Sequence, residues 1–95
     1  MNRPKVIVGP GVAELLFGYR SVSAFCAATG TQIESLTSWC RGRVRPGSAS
    51  AARIAIRTGR DVALVEALLL QIYEEGRVRV AAEQAQLEAM AEIQE

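Results

Sequence analysis

Histidine is absent from this 95-residue chain. Histidine is the side chain that most often transfers protons in enzymes near neutral pH, and no pair of acidic residues is grouped in a way that indicates a catalytic pocket. We therefore expect neither an enzymatic activity nor a cofactor.

Cysteine is scarce: Cys26 and Cys40 are the only two. A zinc site needs more cysteine or histidine ligands than the chain contains, so no metal is expected. A disulfide would require that the two residues meet in the fold. Their apolar neighbours favour two buried free thiols instead.

Long apolar runs are also missing. The longest candidate, Val62–Ile72, is interrupted by Glu66 and Gln71 and falls short of the roughly 20 residues that a membrane helix needs. Near the N-terminus, Val6–Val8 is too short for the apolar stretch of a signal peptide. We expect a cytoplasmic protein.

Aromatic residues make up 5% of the chain, although 49% of its residues are apolar. The core must therefore be built from alanine, valine, leucine and isoleucine, which favours closely packed helices over a sheet. The length corresponds to one domain, with room for a tail.

The net charge is only +1, but basic and acidic residues are distributed unevenly along the chain. Nine of the eleven basic residues lie in residues 1–60, and eight of the ten acidic residues lie in residues 61–95. Several arginines are concentrated in Arg41–Arg45. A basic front half with an acidic back half favours a polyanionic partner on one face.

The spacing of apolar residues predicts five helices. In the first, Val12, Leu15, Leu16 and Tyr19 share one face. Ser21 is a suitable N-cap for the second, and Gly30 suits the left-handed position of the turn that ends it. Thr31 and Glu34 have the spacing of a capping box for the third.

Two further helices are predicted after the basic loop. Ser48 or Ser50 can cap the fourth, which Gly59 ends, and Asp61 opens the fifth. Gly76 is expected to end or kink that helix. A weak apolar stripe continues beyond it at Val78, Ala82, Ala85, Ala89 and Ile93.

Two short helices joined by a glycine-containing turn form the helix-turn-helix layout. The predicted pair spans roughly residues 21–29 and 32–41. In such a unit the first helix lies across the DNA backbone, and the N-terminal half of the second enters the major groove.

Residues 25–59 resemble the lambda-repressor/Cro-like (XRE) helix-turn-helix family. The resemblance rests on a small residue at Cys26, Gly30 in the turn, Leu36 in the second helix, and Trp39-x-Arg41-Gly42 followed by a basic run to Pro46. Thr31 stands where the family usually has an apolar residue. The resemblance implies an all-α, five-helix lambda-repressor-like domain with a C-terminal helical extension.

The resemblance also implies roles for individual residues. Base edges would be read by Gln32, Ser35, Thr37 and Ser38. Phosphates would be contacted by Ser21, Ser23, Arg41, Arg43 and Arg45. Ile33 is either a contact to a thymine methyl or part of the core, and Trp39 is expected in the core.

The N-terminal residues allow two interpretations. Arg3 and Lys5 form an arm that lies along or in a DNA groove, or the N-terminus is instead either a disordered tip or an edge strand formed by Val6–Val8. We divide the chain into an arm or short strand over 1–10, a DNA-binding domain over 11–76, and a C-terminal helix over 77–95 for dimerisation or partner binding.

The function expected from the resemblance is a sequence-specific, double-stranded DNA-binding transcriptional regulator. A homodimeric phage Cro-like or immunity repressor, acting in the cytoplasm of a bacterial host cell, is the leading form. The alternatives are a helix-turn-helix module that binds protein, or an antitoxin-type regulator.

Overall fold

A computed structural model describes the backbone of residues 7–94 and the side chains of residues 7–91. All regular structure in this part of the chain is helical. The five helices are α1 (Pro10–Leu15), α2 (Val22–Thr29), α3 (Ile33–Cys40), α4 (Ser48–Thr58) and α5 (Val62–Gln94). The predicted all-α class is confirmed.

The first half of α5 is the centre of the packing. It contacts α1, α3 and α4, while α2 packs against α3 and α4. Val65, Leu69 and Ile72 from α5 meet Phe25 and Leu36 in a core where each is at most 1% exposed. Complete burial of a side chain of this size contributes about 1.5–3 kcal/mol, so these contacts hold the short helices together.

Four local predictions about helix ends are confirmed. The Ser21 hydroxyl accepts a hydrogen bond of 3.0 Å from the Ala24 amide at the start of α2. Gly30 and Gly59 end α2 and α4 with φ of 71° and 72°. At the start of α5, an Asp61 carboxylate oxygen accepts a bond of 3.2 Å from the Leu64 amide.

Two capping predictions are wrong. Gln32 is the N-cap of α3 and makes no side-chain cap bond. Thr31 is instead buried, and its hydroxyl shares a 2.8 Å hydrogen bond with that of Thr29. At α4 the N-cap is Gly47, again without a side-chain bond, so Ser48 and Ser50 lie inside the helix.

The first helix is shorter than predicted. It ends at Leu15, so Tyr19 lies beyond it and packs edge-to-face on Phe25 with ring centroids 5.2 Å apart. Ile7 is fully buried and Val8 is half-exposed, and neither lies in a strand. Val6, the remaining residue of the predicted strand, lies outside the described residues, as do Arg3 and Lys5.

Of the two alternatives predicted for Gly76, an end or a kink of the fifth helix, the end is wrong. Helix α5 runs through it for 33 residues, a length of about 50 Å, which matches the longest dimension of the described chain, 54 Å. Residues 80–91 are all exposed. The boundary expected between residues 76 and 77 therefore falls inside one continuous helix. The second half of this helix extends beyond the core.

Candidate nucleic-acid interface

Helix α3 is held to the core by one side. Leu36, Trp39 and Cys40 are buried, with exposed fractions of 0%, 4% and 0%. Ile33 is half-buried and packs against the same cluster, which agrees with the core interpretation of that residue. The other side of α3 carries exposed Glu34 and half-buried Ser38, and it continues into exposed Arg41.

The turn before α3 is held by buried threonine hydroxyls. Thr29 donates to the Phe25 carbonyl over 2.9 Å and also bonds Thr31. Both residues are below 10% exposed, and no described buried side-chain oxygen or nitrogen lacks a partner. A threonine thus fills the place where an apolar residue was expected, because its hydroxyl is satisfied inside the protein.

The four base-reading candidates lie on different sides of α3. Gln32 is exposed, whereas Ser35, Thr37 and Ser38 are half-buried. Two residues along a helix are separated by about 200° around its axis, so Ser35 and Thr37 point to nearly opposite flanks. Of the four, Gln32 and Ser35 border a common cleft.

This cleft separates the beginning of α3 from the beginning of α4. Its volume is about 290 Å³, and it is lined by Gly30, Thr31, Gln32, Ser35, Trp39, Ser50 and Arg53. Most of these residues present hydrogen-bonding atoms. The structure therefore brings two of the predicted base-reading residues together with two residues of α4.

The basic loop follows directly from α3. Arg41, Arg43 and Arg45 are all exposed. The loop backbone turns back on the helix, since the Arg43 amide donates to the Ser38 carbonyl over 3.0 Å and the Gly42 amide donates to the Trp39 carbonyl over 3.0 Å. The arginines are thus carried on a turn of defined shape beside the accessible side of α3.

The end of α3 is fastened to α5. Nη2 of Arg79 donates to the Cys40 carbonyl over 2.7 Å. Gly42 has φ of 68°, and a Cβ placed on it would lie 2.7 Å from the backbone nitrogen of Arg77. Gly76 lies on the other side of the same contact, because a Cβ there would lie 2.8 Å from the Gly42 nitrogen. The main chains of α3, the basic loop and α5 therefore approach directly.

The two serines expected to contact phosphate lie at the beginning of α2. Ser21 and Ser23 are both exposed. Ser21 already accepts the cap bond from Ala24, which still leaves its own O–H able to donate to an anion. The predicted arm residues Arg3 and Lys5 lie outside the described part of the chain.

Three residues near the cleft and α3 received no DNA-binding role from the sequence. Arg53 lines the cleft and donates from Nη1 to the Gly30 carbonyl over 3.2 Å. Arg57, one turn further along α4, has its Nη1 3.6 Å from the position of a Cβ on Gly30. Glu34 is exposed on α3 itself and is of the residue type that accepts from cytosine N4.

The cysteines are both free thiols. Burial raises the pKa of Cys40 to about 11, and burial together with the nearby Glu34 carboxylate raises the pKa of Cys26. Within the described residues, no group of three histidine, cysteine or acidic side chains is arranged to hold a metal ion.

Comparison with known proteins identifies no relative: no family model, no curated protein and no solved structure matches the chain. Among the described helices, none combines the length and the apolar character needed to cross a membrane.

Proposed function

We propose that this protein is a sequence-specific, double-stranded DNA-binding transcriptional regulator of the lambda-repressor/Cro-like helix-turn-helix type. The observation that carries the proposal is the arrangement around α3. One side of this helix is buried, the other is accessible, and the accessible side continues into a loop with three exposed arginines. Helix α2 reaches it through a turn with a left-handed glycine.

Each part of this surface suits a different task in binding DNA. The arginines at 41, 43 and 45 supply charge for phosphates, which gives affinity and orientation but no sequence preference. Gln32 and Ser35 border the cleft at the leading end of α3 and present hydrogen-bonding groups of the kind that read base edges. Thr37 and Ser38 lie further along α3, toward the loop.

Selection from a random double-stranded DNA library, followed by titration at two salt concentrations, tests the proposal. We expect a site bound on the order of 10³-fold more tightly than random DNA. Salt-sensitive binding without sequence preference would contradict the specific form of the proposal, and absence of binding would contradict it altogether.

Two kinds of substitution distinguish residues that contact phosphates from residues that read bases. Arg43→Ala should weaken binding to all sequences and reduce the dependence of log K on log salt by about 0.9. Gln32→Ala and Thr37→Ala should instead relax the preference at particular base pairs, with a cost of about 1–3 kcal/mol for the preferred base. If both kinds of variant behave alike, the assignment of roles is wrong.

We also propose that the protein binds DNA as a homodimer paired through the second half of α5. Leu87 and Met90 are 61% and 50% exposed there. Arg77 lies where this segment leaves the core and Glu88 lies near its tip, so antiparallel pairing of two copies places unlike charges together. Equilibrium sedimentation should give a dimer with the selected site, and Leu87→Glu should shift it toward monomer. Monomer alone, with and without DNA, contradicts this proposal.

A protein-binding module is the second candidate, and the same exposed segment of α5 favours it. This function predicts no DNA binding in the library selection. It also predicts that substitutions in the basic loop leave the protein's interactions unchanged. A phage Cro-like or immunity repressor, acting in the bacterial cytoplasm, remains the form of regulator that we favour over an antitoxin-type regulator.

A further inference from the structure

Two arginines of α4 lie beside the turn between α2 and α3. A Cβ placed on Gly30 would lie 3.7 Å from Cδ of Arg53 and 3.6 Å from Nη1 of Arg57. Both side chains are exposed, and they are one helical turn apart on α4. They therefore bring similar charge to the same place. Any difference between their effects on the turn must come from hydrogen bonding.

Only one of these arginines is tied to the turn in the described structure. Nη1 of Arg53 donates to the Gly30 carbonyl over 3.2 Å, across 23 positions of sequence. Gly30 is the left-handed residue that ends α2, and the backbone leaving it enters α3 within three residues. A bond at this carbonyl therefore acts on the direction in which α3 begins.

The same side chain also borders the cleft that holds Gln32 and Ser35. Gln32 has no side-chain cap bond with α3, so its placement depends on the backbone of the turn that carries it. A small change at Gly30 moves Gln32 directly, because only Thr31 lies between them.

We propose that Arg53 is a positioning residue and thereby determines sequence specificity: its bond to the Gly30 carbonyl fixes the turn that places Gln32 and Ser35 against DNA. This inference rests on the proposed function as far as DNA is concerned. The positioning itself concerns the free protein and can be tested without DNA.

The test compares Arg53→Met with Arg57→Met. Both variants remove one positive charge from the same face of α4 and keep a flexible apolar chain, but only the first removes the bond to Gly30. Amide hydrogen exchange in the free protein is followed at Thr31, whose amide bonds the Cys26 carbonyl over 3.1 Å, and at the first amides of α3.

We expect Arg53→Met to accelerate exchange at these amides about fivefold or more without accelerating it in the core of α5, while Arg57→Met leaves the turn unchanged. With DNA, Arg53→Met should reduce the ratio of the affinity for the selected site to the affinity for random DNA. Arg57→Met should weaken these two affinities to the same degree. Arg53→Lys, which keeps a charged donor, should recover part of the ratio.

Equal behaviour of the two methionine variants in both measurements would overturn the inference, since Arg53 would then act only as a charge. If the wild-type protein binds no DNA, the proposed function fails, but exchange at the turn still decides whether Arg53 positions it. Unchanged exchange at Thr31 in Arg53→Met refutes the positioning role in either case.

Discussion

Replacing Gly76 by alanine should destabilise the protein, although alanine is the better helix former. Gly76 is buried inside α5, where the end of α3 crosses it. A Cβ at this position would lie 2.7 Å from the Cys40 carbonyl carbon and 2.8 Å from the Gly42 nitrogen. Both are main-chain atoms, so neither can rotate away as a side chain would.

Opposing contributions to the free energy of unfolding decide whether Gly76→Ala stabilises or destabilises the protein. Alanine in place of glycine inside a helix gains about 1 kcal/mol. Forcing an extra carbon into a packed interior costs about 1–3 kcal/mol, and separating α3 from α5 also weakens the bond from Arg79 to the Cys40 carbonyl, a charged hydrogen bond worth about 1.5–3 kcal/mol. We expect a net loss of about 2 kcal/mol, or a decrease in Tm of about 8–16 °C.

Urea unfolding followed by the fluorescence of Trp39, the only tryptophan, measures this loss. Ala67→Gly is the matched control, because residue 67 is exposed on the same helix and reports helix propensity alone, with an expected cost of about 1 kcal/mol. If Gly76→Ala instead stabilises the protein by a similar amount, the close approach of α3 and α5 does not exist.

Further predictions follow from the buried threonines, from the two cysteines and from the contact at Gly42. Thr29→Val should cost about 1–3 kcal/mol in urea unfolding, because it leaves the buried Thr31 hydroxyl unpaired. Thr31→Val should cost less, since Thr29 keeps its carbonyl partner, and equal costs would contradict the pairing. The raised pKa of Cys40, about 11 against an ordinary 9.0, keeps its proton on in the folded protein while the unfolded chain loses it. Stability should therefore fall as the pH rises from about 9 to about 11, and Cys40→Ala should remove the part of this dependence that comes from Cys40, leaving the part that comes from Cys26. In thiol labelling of the native protein, half-buried Cys26 should react before Cys40, and the reverse order would contradict the burial. Gly42→Ala should destabilise the protein, since it places a side chain at φ of 68° against the backbone of α5, and an unchanged urea midpoint would contradict that contact.

The features predicted correctly from the sequence are those that depend on neighbouring residues. Ser21 and Asp61 cap helices because a short polar side chain reaches an amide three residues ahead. Gly30 and Gly59 end helices because glycine readily adopts a left-handed conformation. Each of these signals is complete within about four residues, so no knowledge of the fold is needed to interpret it.

The missed features depend on contacts between distant residues. Thr31 has the spacing of a cap, but its hydroxyl bonds Thr29 in a buried turn. Arg53 is one of nine basic residues in the first sixty, and nothing in the sequence distinguishes it until α4 packs beside the Gly30 carbonyl.

Gly59 and Gly76 show why a glycine alone does not decide where a helix ends. Both follow apolar helical patterns, yet Gly59 has φ of 72° and ends α4, whereas Gly76 is not among the glycines with positive φ and lies in the middle of α5. At position 76 the carbonyl group of Cys40, which lies 36 residues earlier in the sequence, occupies the space that a side chain would need, whereas a Cβ on Gly59 would meet nothing within 4 Å. Gly76 therefore lowers the helix propensity of α5 so that α3 can approach its backbone, and the position of the proposed recognition helix depends on that missing side chain.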